Sequence, residues 1–406
     1  MSTIVIGAGA AGMMCAATAA MNGADVLLLE RNDRCGRKLG ITGKGRCNLT
    51  NACSRDEFLK NVVNNPRFLY SALSSFSTED TMAFFESFGV PLKVERGNRV
   101  FPVSDKASDI VSALQNCCTD CGVTIKKGFV SKILTKDSAV TGVVLSDGTV
   151  LDCDKVCIAC GGASYPVTGS DGNGYRLAEA CGHSVVSPRA SLVPWEVKEA
   201  DLCRSLQGLS LKNTALRVEQ NGKTIFSDFG EMMFAHFGVT GPMILTASTV
   251  LQSGMKLHLD LKPALTEDQL DKRLLSDFEK YRLKNLANAF DDLLPSKLIL
   301  PFLSLCGLNP TDKVHTVTKE QRKTILYNLK DLTLTARNPR PISEAIVTAG
   351  GVSVSEVDPR TMASKVCSGL YFCGEVLDVD AYTGGFNLQI AFSTGYLAGL
   401  ALAQVR

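Results

Sequence analysis

The spacing of apolar residues changes several times along the chain, and each change marks an element. Thr3 to Ile6 is a short β-branched apolar run that reads as a buried parallel strand, and Asp25 to Leu29 is a second, ending at Glu30. Arg31 to Asn51 has no hydrophobic periodicity. Phe58 to Phe76 and Thr78 to Phe88 carry apolar residues at helical spacing, with Ser77 or Thr78 placed to cap the second, and the extended piece Arg99 to Pro102 interrupts this helical region. Val123 to Ile158 alternates and reads as a β-meander, with turns at Asp137-Ser138 and at Asp147-Gly148. From Ser187 to Arg337 the pattern reads as an insertion. It is strand-rich to about Pro263, with a hairpin turn at Asn221-Gly222, and helical beyond. Thr266 with Gln269 and Thr318 with Gln321 are capping-box pairs, and Leu270, Leu274, Phe278 and Tyr281 form one apolar stripe. Leu370 to Cys373 is a last strand, and Gly384-Gly385-Phe386-Asn387 opens a last helix. The expected organisation is an α/β domain made of residues 1–187 and 338–406, interrupted by a β-rich domain at 188–263 and a helical one at 264–337.

The first strand runs into Gly7, Gly9 and Gly12, spaced G-x-G-x-x-G. In a dinucleotide site the first glycine makes the tight exit from the strand, the second lets a pyrophosphate approach the backbone, and the third lets the helix pack on the sheet. The helix start, Ala10 and Ala11, then offers unpaired N–H groups and partial positive charge. Glu30, at the tip of the second strand, is placed to accept hydrogen bonds from both ribose hydroxyls. A strand before, a helix after and an acid at this distance make the motif specific.

Arg31 to Asn51 reads RNDRCGRKLGITGKGRCNLTN, rich in glycine and basic residues, and its glycines suggest backbone lying close to a ligand. GRKLGITGKGRCNLTN is very similar to the signature loop of the bacterial YhiN-like flavoproteins, also described as BaiN-type NAD(P)/FAD-dependent oxidoreductases or aminoacetone oxidase family FAD-binding enzymes. The likeness extends over essentially the whole chain. Arg99 to Pro102 matches the family's R-V-F-P segment. Ala159-Cys160-Gly161-Gly162 and the following S-Y-P-x-T-G-S-x-G-x-G-Y resemble its second flavin fingerprint. GEMMFAHFGVTGPMILTAS resembles its G-E-x-x-F-T-H-x-G-x-S-G-P segment, departing at Ala235 and Thr240.

The resemblance implies a Rossmann-like, two-dinucleotide-type FAD-binding fold with a β-meander and an inserted β-barrel-like plus helical domain. It assigns FAD contacts to Gly7, Gly9, Ala10, Ala11 and Gly12, to Glu30 and Arg31, and to Lys38, Gly43, Gly45, Arg46, Cys47 and Asn48 of the basic loop. Val130, Cys160, Gly161 and Gly162 follow, then Gly374, Glu375 and Asp380. At the last helix the contacts are Gly384, Gly385, Phe386, Asn387 and Leu388, whose N-terminus would face the flavin N1–C2 carbonyl edge. Three separated segments meeting on one ligand favour FAD over NAD as the tightly bound dinucleotide. Without a second G-x-G-x-x-G, NADH or NADPH is expected as a transient co-substrate. In the characterised branch of the family the acceptors are unsaturated 3-oxo bile acids, a small-molecule substrate, and His236, Tyr165 and Tyr382 are the candidate acids. An oxygen-using oxidase of small amines and an RNA-modifying or non-catalytic flavoprotein are the alternatives.

Charge and cysteine use narrow these readings. A formal net charge of +2 gives no electrostatic reason to expect nucleic acid or an anionic membrane as partner. The apolar N-terminus lacks a basic n-region, and no run elsewhere reads as a bilayer span. Fifteen cysteines without an export signal are expected as reduced thiols in a cytoplasm. Two C-x-x-C pairs, Cys118/Cys121 and Cys157/Cys160, read as buried structural thiols, so no metal is assigned. A redox role for Cys35 and Cys47 is a further reading. Oligomeric state is not legible.

Overall fold

The computed structural model describes residues 2–404. It divides into a unit comprising Met1–Ser191 with Pro341–Arg406, and a unit comprising Leu192–Arg340. The insertion is thus one unit, where the sequence suggests two.

In the first unit five parallel strands lie in the order Leu370–Phe372, Lys155–Ile158, Ser2–Ile6, Asp25–Glu30 and Thr124–Lys127. The N-terminal strand is central, with Ile4 paired to Val156 on one side and Leu27 on the other. Val123 to Ile158 is therefore not one meander. Its two ends join the parallel sheet, and only Val130–Lys136, Ala139–Leu145 and Val150–Asp152 form an antiparallel sheet. Burial explains the division: all of Lys155–Ile158 is buried, as a strand covered on both faces must be. Asp137 and Ser138 both take positive φ (49° and 57°), the geometry of a two-residue turn matched to strand twist.

The first helix, Ala10–Met21, packs along the last, Phe386–Ala403. A Cβ on Gly395 would lie 2.5 Å from the Ala11 carbonyl oxygen, and one on Gly399 2.6 Å from that of Cys15. The close approach runs along Ala11 and Cys15 and, at Gly399, also past Thr18 and Ala19. Against expectation, the last helix has the length (18 residues) and mean hydropathy (1.2) to cross a bilayer, but 72% of it is buried inside the fold. Phe58 to Phe76 is not one helix either. Asn65 at φ 54° and Pro66 separate Arg55–Lys60 from the turn at Pro66–Leu69 and the helix Tyr70–Ser75, as expected where a proline disfavours helix before it. Ser77, not Thr78, caps Thr78–Ser87, in a reciprocal box with Asp80.

The second unit is a closed six-stranded barrel with a helical excursion. Its strands are Trp195–Val197, Ser210–Gln220, Lys223–Ala235, Gly238–Thr240, Lys256–Asp260 and Leu332–Pro339. The last of these lies in the stretch read as helical. It pairs with Trp195–Val197 and Lys256–Asp260 and so closes the barrel on either side of the helical excursion. Those helices, Glu267–Lys280, Ser296–Leu305 and Lys319–Lys330, carry the expected capping boxes at Thr266 and Thr318.

Candidate dinucleotide site

The first turn is built by steric necessity. Gly7 sits at φ 103°, where a side chain would meet the Ala159 carbonyl oxygen at 2.7 Å. A Cβ on Gly12 would stand 1.8 Å from the Gly7 carbonyl oxygen, whereas one on Gly9 would meet nothing within 4 Å. Gly12 therefore serves packing and Gly9 opens a space. Gly9 is the N-cap and supplies no side-chain cap, so the helix start keeps N–H groups for an incoming anion.

Glu30 is more committed than the sequence implied. One carboxylate oxygen accepts from the Ala8 N–H at 2.8 Å, and the other accepts from the Asn32 backbone (2.8 Å) and side chain (2.7 Å). Of about four acceptor positions on a carboxylate, roughly one remains. That position is what the carboxylate keeps for the ribose hydroxyls while these three donors are in place. Arg31 pairs with Asp171 at 2.5 Å and lies over the Phe129 ring, which fixes the loop after the second strand.

A polar knot joins distant segments. Lys38 donates to Glu375 and to the Ser164 hydroxyl, both at 2.6 Å, while Glu375 accepts from Ser164 (3.0 Å) and the Thr348 N–H (2.9 Å). Thr348 in turn accepts from the Ala163 and Ser164 N–H groups. Thr348 also explains Gly162, where a Cβ would lie 2.4 Å from its hydroxyl; at Gly161 the obstacle is the Ser170 hydroxyl at 2.5 Å. Neither Thr348 nor Ser164 was singled out from the sequence, although Ser164 opens the S-Y-P-x-T-G-S-x-G-x-G-Y segment. Cys160 is half-buried, with its thiol on the Ile6 carbonyl.

The basic loop is backbone-led. Gly43, Lys44, Gly45 and Cys47 all take left-handed φ. Arg46 is tethered within the protein: its guanidinium pairs with Glu95 and Asp105 and stacks on Phe101. Cys47 is fully buried and burial pushes its thiol up to about 12; burial also raises Cys35, so neither fits a reactive dithiol. The Asn48 side-chain oxygen is buried with no hydrogen-bond partner among the described residues. An amide oxygen left in this way calls for a donor the protein does not supply.

At the last helix Gly385 (φ 97°) passes so close to Thr50 that a Cβ would lie 2.2 Å from its carbonyl oxygen, and Asn51 holds the Gly384 carbonyl at 3.0 Å. The helix start again lacks a side-chain cap. Asn387 is turned back on Ala381, bonding its N–H and carbonyl, and Phe386 packs edge-on to Phe58. Both side chains shape the turn from within, and Leu388 is half-buried beside them. Gly374 takes φ 77° and donates to Thr394. Asp380 is a buried brace: it accepts from Ser191 at 2.9 Å and from Asn64, and desolvation raises its carboxyl above the ordinary value. The Val130 carbonyl is buried and accepts from Asn173 at 3.1 Å.

This is a cradle of two uncapped helix starts, a positive-φ loop and an orphan amide oxygen, which fits an extended dinucleotide. A family model for the HI0933-like protein Rossmann domain matches residues 1–401. The chain belongs to that family. As a member of it, the protein is an FAD-dependent oxidoreductase. It is 32% identical over 98% of both chains to a 3-dehydro-bile acid delta(4,6)-reductase of Clostridium scindens. It is 31% identical to a ribosomal RNA dihydrouridine synthase of Haemophilus influenzae, covering 99% of this chain and 98% of that one, and 32% identical to its Escherichia coli counterpart, covering 97% and 96%. In fold it is similar to the 3-ketosteroid-delta4-(5alpha)-dehydrogenase of Rhodococcus jostii RHA1, with a TM-score of 0.56 at 15% identity over 99% of this chain and 96% of that one.

The candidate acids of this family member are not gathered in one unit. Tyr165 and Tyr382, both half-buried, belong to the first; Tyr165 holds a left-handed conformation (φ 52°), an outlier of the kind kept at functional turns. His236 belongs to the second, exposed in the tight turn between paired Ala235 and Gly238.

Proposed function

We propose that the protein reduces a carbon–carbon double bond conjugated to a carbonyl, in an unsaturated 3-oxo steroid of the bile-acid class, with NADH or NADPH as electron donor. The observation that carries this reading is the end-to-end likeness to the C. scindens reductase. Bound FAD supplies hydride transfer at its N5. The chain's contribution is to place and polarise. The uncapped starts of the first and last helices direct N–H groups at the pyrophosphate and at the electron-rich ring edge. The Asn48 amide oxygen receives a donor, and the Lys38–Glu375 knot fixes the turn around Gly162. A phenol or imidazole then protonates the α-carbon of the enone, with Tyr165, Tyr382 and His236 as candidates. Fifteen unpaired cysteines support a reducing compartment such as the cytoplasm.

A second reading has its own observation: two relatives, each matched over at least 97% of this chain, are named ribosomal RNA dihydrouridine synthases. The chemistry is shared, because the uracil C5=C6 bond is conjugated to the C4 carbonyl. The charges weigh towards the small molecule. Arg31, Lys38 and Arg46 are spent on Asp171, Glu375, Glu95 and Asp105, leaving Arg34, Arg37 and Lys44 exposed in the basic loop.

The test is an anaerobic assay of the FAD-loaded protein with NAD(P)H and a 3-oxo-4-ene bile acid. The steroid reading expects NAD(P)H loss matched to enone loss, and substitution of the true acid (Tyr165→Phe, Tyr382→Phe or His236→Gln) should lower turnover roughly 100-fold or more. No consumption with any steroid enone, together with dihydrouridine missing from the ribosomal RNA of a deletion strain, replaces it with the second reading.

A further inference from the structure

Three thiols meet where the first helix packs against the parallel sheet. Cys15 comes from the first helix, Cys157 from the strand Lys155–Ile158, and Cys373 from the residue after Leu370–Phe372. Their sulfur atoms lie within 4.8 Å of one another, Cys157 and Cys373 at 3.5 Å, and all three residues are 0% exposed. We infer that Cys15, Cys157 and Cys373 form a binding site for a trivalent thiophilic ion, matched best by arsenic(III).

Geometry and charge select this chemistry. Zinc takes four ligands in a closed structural site, and no fourth histidine, cysteine or carboxylate joins the cluster among the described residues. Copper(I) suits sulfur but would leave a trithiolate with net negative charge, which a dry interior penalises. Arsenous acid avoids both problems. Three S–H and three As–O bonds break, three As–S bonds form, and three waters leave with the thiol protons. Arsenic stays trivalent, nothing is oxidised or reduced, and the product is neutral. A three-coordinate pyramidal centre needs no further ligand. Because the cluster lies between the first helix and the sheet, entry needs that layer to open, so capture should be slow.

The experiment incubates the FAD-loaded protein with sodium arsenite, removes free arsenic, and measures bound arsenic per chain and its neighbours by X-ray absorption. The expected result is one arsenic per chain with three sulfur and no oxygen neighbours. Retention should fall at least tenfold in Cys157→Ala and in Cys373→Ala. It should persist in Cys121→Ser, which removes a thiol one helical turn from Cys117 that could offer a competing two-sulfur site. Should either alanine variant fail to fold, alkylation mapping of the unchanged protein in mild denaturant decides instead: arsenite must protect Cys15, Cys157 and Cys373 together. No retained arsenic, a two-sulfur centre, unchanged retention in both alanine variants, or protection confined to other cysteines overturns the inference.

Discussion

Adding one methyl group at Gly12 and one at Gly9 should damage different properties. At Gly12 the new carbon would lie 1.8 Å from the Gly7 carbonyl oxygen and 3.2 Å from the Ala159 methyl. The nearest of these is backbone, so relief requires moving the helix off the strand. Overpacking of this kind costs about 3 kcal/mol at the upper end, and exchanging glycine for alanine inside a helix returns about 1 kcal/mol, leaving a net loss near 2 kcal/mol. For a unit of this size that is roughly 4–8 °C in melting temperature. At Gly9 the carbon meets no protein atom within 4 Å, and its φ of −83° suits alanine. Weaker capping and lower chain entropy nearly cancel there, so Gly9→Ala should leave the apoprotein within about 1 kcal/mol of the parent. The methyl would instead occupy the pyrophosphate's approach, and we expect FAD affinity to fall about 10- to 100-fold, or about 1.4–2.8 kcal/mol. Thermal unfolding of the two apoproteins and quenching of FAD fluorescence on binding separate the effects. An unchanged FAD affinity in Gly9→Ala would falsify the assignment of that space to the cofactor, and an unchanged melting temperature in Gly12→Ala would refute the close approach.

Three further outcomes follow from the site. Glu375→Gln leaves Lys38, half-buried, without its charge partner; a double-mutant cycle with Lys38→Met in urea should show coupling of about 1 kcal/mol, and zero coupling would make the knot incidental. Asp380 has its carboxyl raised by burial, so the native state binds its proton more tightly than the unfolded chain does. Its contribution to stability is then highest below the ordinary carboxylate value and declines as pH rises through the window up to the raised one. The stability difference between the parent and Asp380→Asn should move in the parent's disfavour across that window, and a difference independent of pH contradicts the brace as described. Finally, with its thiol pushed up to about 12, Cys47 should stay unmodified by iodoacetamide in the native protein at mildly alkaline pH, and rapid labelling would show that its burial is wrong.

What was legible in the sequence were features with a local cause. The G-x-G-x-x-G turn, the hairpin at Asp137-Ser138 and the capping boxes at Thr266 and Thr318 each depend on a few adjacent residues, and each stands where expected. The misreadings share the opposite property. Lys155–Ile158 looks like any other strand after a meander until its two parallel neighbours are known. Leu332–Pro339 becomes a barrel strand only through partners more than 70 residues away. In the site, the tight turn at Gly7 was readable because a left-handed φ favours glycine. Side-chain destinations were not: Arg46 finds Glu95 and Asp105, and Asn387 turns on Ala381, through geometry that only the folded chain sets.

The central claim is that these segments hold one FAD and pass electrons through it. Purified protein titrated anaerobically with NADH, and separately with NADPH, tests it most directly. The account predicts one FAD per chain and loss of the oxidised-flavin absorbance with at least one of the two donors. A chain that carries no flavin and takes none up when offered FAD would contradict it.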